Sequence, residues 1–471
     1  MSTQADRPTV LIVGAGLGGL MLGALLEKAD ISYVIFERSS SVKPLGSAIM
    51  VGPNLMGLFE QMNIDEEFKA IGKPTFDCVI GKDDMEVVCK VDFRHTVEYT
   101  GYCNYIVGRP ALYNLLLRQI PPHKVLFNKR VLKIADTEEG VHISTTDKST
   151  YEGDILVGAD GAYSAVRQRM YETLKAAGTL PKSDQEDLPF KSTCLVGQTK
   201  PIDFAAAFPE FLDESGPFYC TLSKTSPYTW TVFPTINGNL CWMVMHHLDK
   251  ESSKAAEEHR FRESDNSQWG SHAAQAMCDE TRHFILPFGT KKATMGDLYD
   301  LTPQDRISKV MLEEKVFQTW YSGRTVLLGD ACHKLNPSGA HGAVTAMHDA
   351  LALANLIYAL PNKTSVAIEE AFSEYQAERI GPVTASYNAS KALSMVIGRG
   401  PIGAIALFLR KYTPLFIWDT VIVNKKKAIL DRPTAGFLRK VRTKGTVPPT
   451  VSPSGEKARK VFEQRTRAVS V

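Results

Sequence analysis

The chain has 471 residues, 44% of them apolar and 23% charged, with a formal net charge of +2. These values suit a soluble globular protein of two or three domain-sized units whose cores need no covalent staples. Eight scattered cysteines, with no CxxC pair and no Cys/His spacing suited to zinc, speak against a redox disulfide and against a metal site.

The N-terminus shows no secretory signal, because the apolar run Val10 to Val13 is too short and leads straight into glycines. An intracellular protein is therefore expected, cytoplasmic or peripherally membrane-associated. The first elements read strand, tight turn, helix, strand: Thr9 to Val13, then Leu17 to Lys28, then Tyr33 to Phe36 closed by Glu37. This is one βαβ unit, so the fold class is α/β with a parallel sheet. From Val125 to Val157 short alternating segments (Val131–Ala135, Val141–Thr145, Asp154–Val157) predict a small antiparallel meander. Two aromatic-rich alternating runs, Tyr228 to Phe233 and Leu240 to Met245, flank Asn237-Gly238 and predict a hairpin. Lys250 to Phe284 is polar and reads as helical. Thr325 to Leu328 reads as a buried strand, followed by a turn and a helix from about His341 to Leu360.

The chain thus leaves the βαβ unit, makes a β-rich module and returns. The expected division is a Rossmann-like domain over 1–190 and 291–385, interleaved with a β-rich domain over 191–290. Apolar helices would follow over 386–430 and a basic tail over 431–471. From Asn424 onward there are 13 Lys and Arg against 3 Asp and Glu, so +10 sits on this end and −8 on the rest. A solvated tail is the expectation for such a run. Gly400 to Leu409 and Thr413 to Trp418 are strongly apolar, but neither approaches the ~18–20 residues needed to cross a bilayer. Two readings stay open for them: helices packed on the enzyme body, or a pair lying in a membrane interface beside Lys425-Lys426-Lys427.

Three fingerprints carry the chemistry. The first is Gly14-Ala15-Gly16-Leu17-Gly18-Gly19. Gly14 allows the tight turn, Gly16 lets the backbone approach a pyrophosphate, and Gly19 permits close packing of helix on strand. The phosphates would sit on a helix N-terminus, and the carboxylate of Glu37 can accept the hydroxyls of an adenosine ribose, with Arg38 beside it. The second is Gly158-Ala159-Asp160-Gly161-Ala162-Tyr163-Ser164-Ala165-Val166-Arg167, at a strand end where α/β proteins place ligands. Asp160 is read as bracing a long cofactor, with a plain helix cap as the alternative. The third runs from Leu328-Gly329-Asp330 through His333, Lys334 and Pro337 to His341-Gly342-Ala343. Asp330 can hold a ribityl hydroxyl, and the N–H groups near Gly342 and Ala343 would face an electron-rich ring edge. His333 and His341 are read as hydrogen-bonding residues, since no acid or cysteine is arranged around them as ligands.

Together the three resemble the FAD-dependent hydroxylases related to para-hydroxybenzoate hydroxylase, over roughly residues 8–365. Within that family the Gly-Asp…His-Lys…Pro stretch is similar to that of fungal FAD-dependent monooxygenases that epoxidise prenyl chains. The resemblance adds Arg109, in Val107-Gly108-Arg109-Pro110, as the arginine on the flavin side, and matches Asp330 and Ala343 to flavin-contacting positions. The sequence departs from the family at Ala340-His341-Gly342-Ala343-Val344, where Gly-Gln-Gly-Ala is usual. It departs again at Gly46 to Met50, which is one residue shorter and has Met50 where glycine is common.

There is no second GxGxxG, so a reductase that docks NAD(P)H in a Rossmann domain of its own is disfavoured. The resemblance implies instead that NAD(P)H is a transient co-substrate and that a flavin C4a-hydroperoxide hydroxylates or epoxidises a substrate. The cofactor does the hard chemistry, which agrees with the absence of a Ser/His/Asp constellation and of any nameable catalytic residue. Tyr228, Trp230, Phe233, Trp242, Met243 and Met245 are expected to roof an apolar cavity, half of them turned away by strand alternation. His246 or His247 is a candidate proton relay. The expected partner is a small hydrophobic molecule, aromatic or isoprenoid, with no nucleic acid. The alternative is a non-oxygenating flavin oxidoreductase of the same fold, a prenyl-chain reductase or dehydrogenase.

Overall fold

The computed structural model describes residues 7–41, 48–213, 215–248, 268–269, 271–289, 292–337, 341–397, 405 and 431–469. The first part of the predicted Lys250 to Phe284 helix, the apolar runs after Gly400, the Lys425 cluster and Gly46-Ser47 fall wholly or largely outside them, while Gln268–Trp269 is a strand and Ser271–Thr281 a helix.

Thr9–Val13 is a run of β-branched and aliphatic residues, and it becomes the middle of a six-stranded sheet. The order across that sheet is Tyr321–Ser322, Thr325–Leu327, Ile155–Gly158, Thr9–Val13, Ser32–Phe36, Val125–Leu126. All neighbours are parallel except the first pair. Near-continuous burial of these strands is what a parallel sheet covered on its faces requires. The Leu17–Lys28 helix packs on it and against the Gly342–Tyr358 helix, which is buried from Val344 to Tyr358.

The small meander is present, with one correction. Its third strand is Thr150–Gly153, pairing with Val141–Thr145. Ile155–Gly158 turns away and joins the parallel sheet beside Thr9–Val13. The change of sheet falls at Asp154, whose carboxylate accepts the Thr9 N–H at 2.8 Å. The break at Asp154, between the polar Thr150–Gly153 and the apolar Ile155–Gly158, is a switch between two sheets.

The β-rich module is an eight-stranded sheet ordered Gln268–Trp269, Ser308–Glu313, Phe190–Gln198, Leu240–His247, Tyr228–Pro234, Phe218–Leu222, Asp77–Lys82, Val87–Asp92. The Tyr228–Pro234 and Leu240–His247 strands form the predicted hairpin, with Asn237 and Gly238 both at positive φ, 59° and 69°. Strands from 77–92 and from 308–313 also build this sheet, so it reaches beyond 191–290 on both sides. The Ser365–Ile397 helix likewise runs past residue 385.

The basic end is not a solvated tail. Ala435, Phe437 and Ala458 belong to the main core, and the Pro453–Val469 helix lies against Gly342–Tyr358. Asn355 fixes the segment by donating to Thr434 O at 3.1 Å and accepting from Gly436 N at 2.8 Å. Gln61 does the same at Ala435, with contacts of 3.2 and 2.9 Å. Charge density predicted solvation, but a few small and aromatic residues between the charges decide the packing. Among the described residues, no helix is long and apolar enough to cross a membrane.

Candidate active site

The first glycine loop leaves the sheet at Gly14, whose φ is +108° and whose missing Cβ would stand 2.4 Å from Ala159 O. Gly19 faces back onto it, and a Cβ there would meet Gly14 O at 2.1 Å. Both positions therefore demand glycine for the turn and for close packing. Gly16 is different: nothing lies within 4 Å of its Cβ direction, and as N-cap of the helix it makes no side-chain hydrogen bond. Glu37 closes the loop, its Oε2 accepting from Ala15 N and its Oε1 from Ser39 N, each at 2.9 Å. Arg38 is exposed.

The second loop leaves the adjacent strand. Asp160 Oδ2 accepts from Ala165 N at 2.7 Å and Val166 N at 3.3 Å, and Ser164 caps the same helix through Arg167 N at 2.9 Å. The helix-capping alternative for Asp160 is thus realised, yet its Oδ1 is buried with no partner, and burial raises its pKa. Arg167 is buried and donates to Ala162 O at 2.6 Å and Ala331 O at 2.7 Å, which ties this loop to the Gly-Asp loop.

The third loop follows the next strand of the sheet. Lys334 pairs with Asp330 at 2.6 Å. Burial alone would raise the Asp330 pKa; the charges of Lys334, His333 and Arg109 outweigh it and hold it below the usual range. Arg109 is itself exposed at the start of the Arg109–Leu117 helix. Gly342 opens the long helix with nothing within 4 Å of its Cβ direction and no side-chain cap beneath it, and half-buried Ala343 follows. Burial lowers the pKa of neighbouring His341.

Gly14, Gly16, Glu37, Asp160, Asp330, Gly342 and Ala343 thus lie on loops at the same ends of neighbouring parallel strands, or on helices leading from them, while Arg109 follows Asn104–Gly108 of a separate three-stranded antiparallel sheet. Two helix N-termini there lack side-chain caps, so their N–H groups are open to an anionic ligand. A buried carboxylate oxygen without a partner, two uncapped helix starts and an opening at two glycines fit a long dinucleotide.

The "FAD binding domain" sequence family matches the chain over residues 7–287 and 288–387. The chain belongs to this family. Among curated proteins it is 28% identical to the FAD-dependent monooxygenase atmM of Aspergillus flavus, across 92% of this chain and 87% of that one. It is also 28% identical to the FAD-dependent monooxygenase paxM of Penicillium paxilli, across 91% and 87%. Among solved structures, HpxO of Klebsiella pneumoniae complexed with FAD and uric acid superposes with a TM-score of 0.68 at 19% identity, covering 90% of this chain and 96% of that one. The 2,6-dihydroxypyridine-3-hydroxylase of Arthrobacter nicotinovorans gives 0.66 at 16% identity, covering 84% and 93%. This FAD-binding protein is an oxidoreductase, an FAD-dependent monooxygenase.

The substrate sheet of this monooxygenase has two unlike faces. Tyr228, Trp230, Val232, Leu240, Trp242 and Val244 pack with the Ser271–Thr281 and Met295–Asp300 helices in a core of their own. Trp230 Nε1 donates to Ile285 O at 3.1 Å and Trp242 Nε1 to Thr302 Oγ1 at 3.0 Å. Tyr228, Trp230 and Trp242 therefore do not roof a cavity over the flavin. The other face carries Cys194, Val196, Met243, Met245, Val310 and Leu312. It looks toward the FAD domain, since Gln198 on the same face comes within 3.8 Å of the Cβ direction of Gly108. Strand parity puts Phe233 and His247 on this side as well. His247 meets Thr229 Oγ1 at 3.2 Å, and burial lowers its pKa to about 4, so the ring is neutral. His246 stacks on Tyr228 on the far side, 4.4 Å between centroids.

Two groups escaped the sequence reading. Asp349 lies fully buried between His333 Nε2 at 2.6 Å and Arg379 Nε at 2.8 Å. A lone acid inside the apolar run Gly342 to Tyr358 was its only signal. Glu313, also buried, accepts a hydrogen bond from Tyr163 of the second loop. No cluster of side chains among the described residues is arranged to hold a metal.

Proposed function

We propose that the protein inserts one atom of O₂ into a small apolar substrate, hydroxylating or epoxidising an aromatic or isoprenoid molecule at the expense of NAD(P)H. The observation that carries this reading is the side of the eight-stranded sheet turned toward Gly108, where Cys194, Val196, Met243, Met245, Val310 and Leu312 form an uncharged wall. Such a wall suits a ligand held by burial of apolar surface and oriented by a few polar groups. The neutral His247 and the Gln198 amide are among the polar groups on that side.

In this reading Gly14, Gly16 and Gly19 form the pyrophosphate turn, and Glu37 with Arg38 takes the adenosine ribose. Asp160, Arg109 and Asp330 hold the middle of the cofactor, and Gly342 and Ala343 offer N–H groups to the ring. Bound FAD, reduced by the nicotinamide, activates O₂ and supplies the oxygen atom. The chain's own share is positioning and exclusion of water. Arg167 keeps two loops in register, the Asp330–Lys334 pair presents a carboxylate to a hydroxyl, and the sheet wall displaces solvent from the substrate.

The test uses the FAD-loaded chain with NADH or NADPH and a panel of phenolic and prenylated compounds. Substrate-stimulated oxidation of the nicotinamide and a product heavier by about 16 mass units are expected. A product that is reduced or dehydrogenated, with no added oxygen, would support the non-oxygenating alternative.

A further inference from the structure

Glu313 ends the Ser308–Glu313 strand of the substrate sheet and is 1% exposed. Its Oε1 accepts from the Tyr163 hydroxyl, and its Oε2 is buried with no hydrogen-bond partner. Tyr163 belongs to the Gly158–Arg167 loop, and the charges that act on Glu313 are those of Lys334 and Asp330 in the Gly-Asp loop. The next acid, Glu314, is engaged separately by Asn336 Nδ2 at 2.5 Å, and His333 is turned to Asp349. Two loops that border the proposed cofactor site therefore act on one carboxyl, half of which is unsatisfied. A buried ionised carboxylate with an empty oxygen is costly, whereas a carboxylic acid there costs little. Burial, opposed by Lys334 and reinforced by Asp330, accordingly lifts its pKa from 4.5 to about 7.

We propose that Glu313, held by Tyr163, is a redox-linked proton site that takes up one proton from solvent when the cofactor is reduced and returns it when the cofactor is reoxidised. The proposal rests on the FAD reading of the three loops. A hydride from the nicotinamide brings two electrons and one proton, so one net negative charge is added to the cofactor. The proton drawn to Glu313 comes from solvent and offsets part of that charge, and no bond to carbon or oxygen of the substrate is involved. Across a protein interior, a unit charge about 10 Å away changes the proton affinity of a carboxyl on the order of tenfold. Asp330 already acts on Glu313 in this sense, and Lys334 acts against it. Glu313 is a positioning residue for charge and does not itself touch substrate.

The test is spectroelectrochemical titration of the full FAD-loaded chain and of Glu313→Gln, from about pH 5 to pH 9. Glutamine keeps the size and the acceptor for Tyr163 but cannot titrate. The wild-type midpoint potential is expected to track the variant below about pH 6 and to fall relative to it as the pH rises through about 7. A potential difference that does not change with pH overturns the proposal while leaving the FAD reading intact. Where the variant does not load FAD, proton uptake by the wild-type protein during photoreduction is read with an indicator dye. Uptake clearly above one proton per flavin near about pH 8, where the reduced flavin itself keeps a single proton, supports the proposal, and uptake of a single proton there contradicts it. A wild-type chain that fails to quench flavin fluorescence overturns the FAD reading and the proposal together.

Discussion

Asp349 sits wholly inside the protein and stays ionised. Burial alone would push its pKa up, but the flanking His333 and Arg379 reverse that and bring it to about 2. Its folded-state value lies below its ordinary one, so the stabilisation is present above pH 3.8 and is lost as the pH falls through about 2. Asp349→Ala leaves the Arg379 charge buried alone and is expected to cost about 3–5 kcal/mol in urea denaturation. Glu313 has the opposite sign. Its stabilisation as a neutral acid is present below pH 4.5 and is lost as the pH rises through about 7. Glu313→Gln should therefore gain stability over the wild type between those two values, about tenfold in the folding equilibrium per pH unit, and no further above them. At Asp330 the expectation concerns binding. Asp330→Ala removes a carboxylate held ionised by Lys334, and FAD affinity measured by fluorescence quenching should weaken by about tenfold to a hundredfold. Full FAD occupancy in that variant would contradict the assigned role.

At the scale of elements, the sequence displays what local chemistry controls. Gly14, Gly16 and Gly19 announce a strand–turn–helix because glycine there answers a local geometric need, and the structure has a positive φ at Gly14 and near contact at Gly19. The hairpin at Asn237-Gly238 is legible for the same reason. What was hidden depends on partners far along the chain. The all-apolar Ile155–Gly158 differs from the polar Thr150–Gly153, but nothing local says which strand of the parallel sheet it joins. Nor does alternation say which face of the Leu240–His247 strand meets the Ser271–Thr281 helix and which meets the FAD domain. Tyr163 and Glu313 are 150 residues apart, and neither signals the other. The basic end misled for a related reason: charge is plain in the sequence, whereas its anchor at Asn355 is a tertiary contact. Asn355→Leu orphans Thr434 O and Gly436 N, and each orphaned group costs about 1–3 kcal/mol. Earlier proteolytic release of the C-terminal segment is expected in that variant, whereas a solvated tail would be cleaved at the same rate in both proteins.

Over the whole molecule, one chain passes repeatedly between a parallel sheet that presents loops and a broad sheet that presents a wall. Strands from 77–92, 190–247 and 308–313 build the wall, and the loops after Val13, Gly158 and Leu327 face it. In the proposed function, cofactor binding and substrate choice belong to different surfaces and should separate on mutation. Met243 is only half-buried on the wall, so Met243→Glu can fold with its cofactor in place. The new charge lies where an apolar ligand would pack, and substrate-stimulated NAD(P)H oxidation should fall by at least about tenfold with FAD affinity unchanged. The measurement that bears most directly on oxygen insertion is turnover of the FAD-loaded protein with NAD(P)H and an apolar substrate under oxygen-18 gas. A product carrying one labelled oxygen atom is expected; a product without label, formed while the nicotinamide is consumed, contradicts the assignment as a monooxygenase.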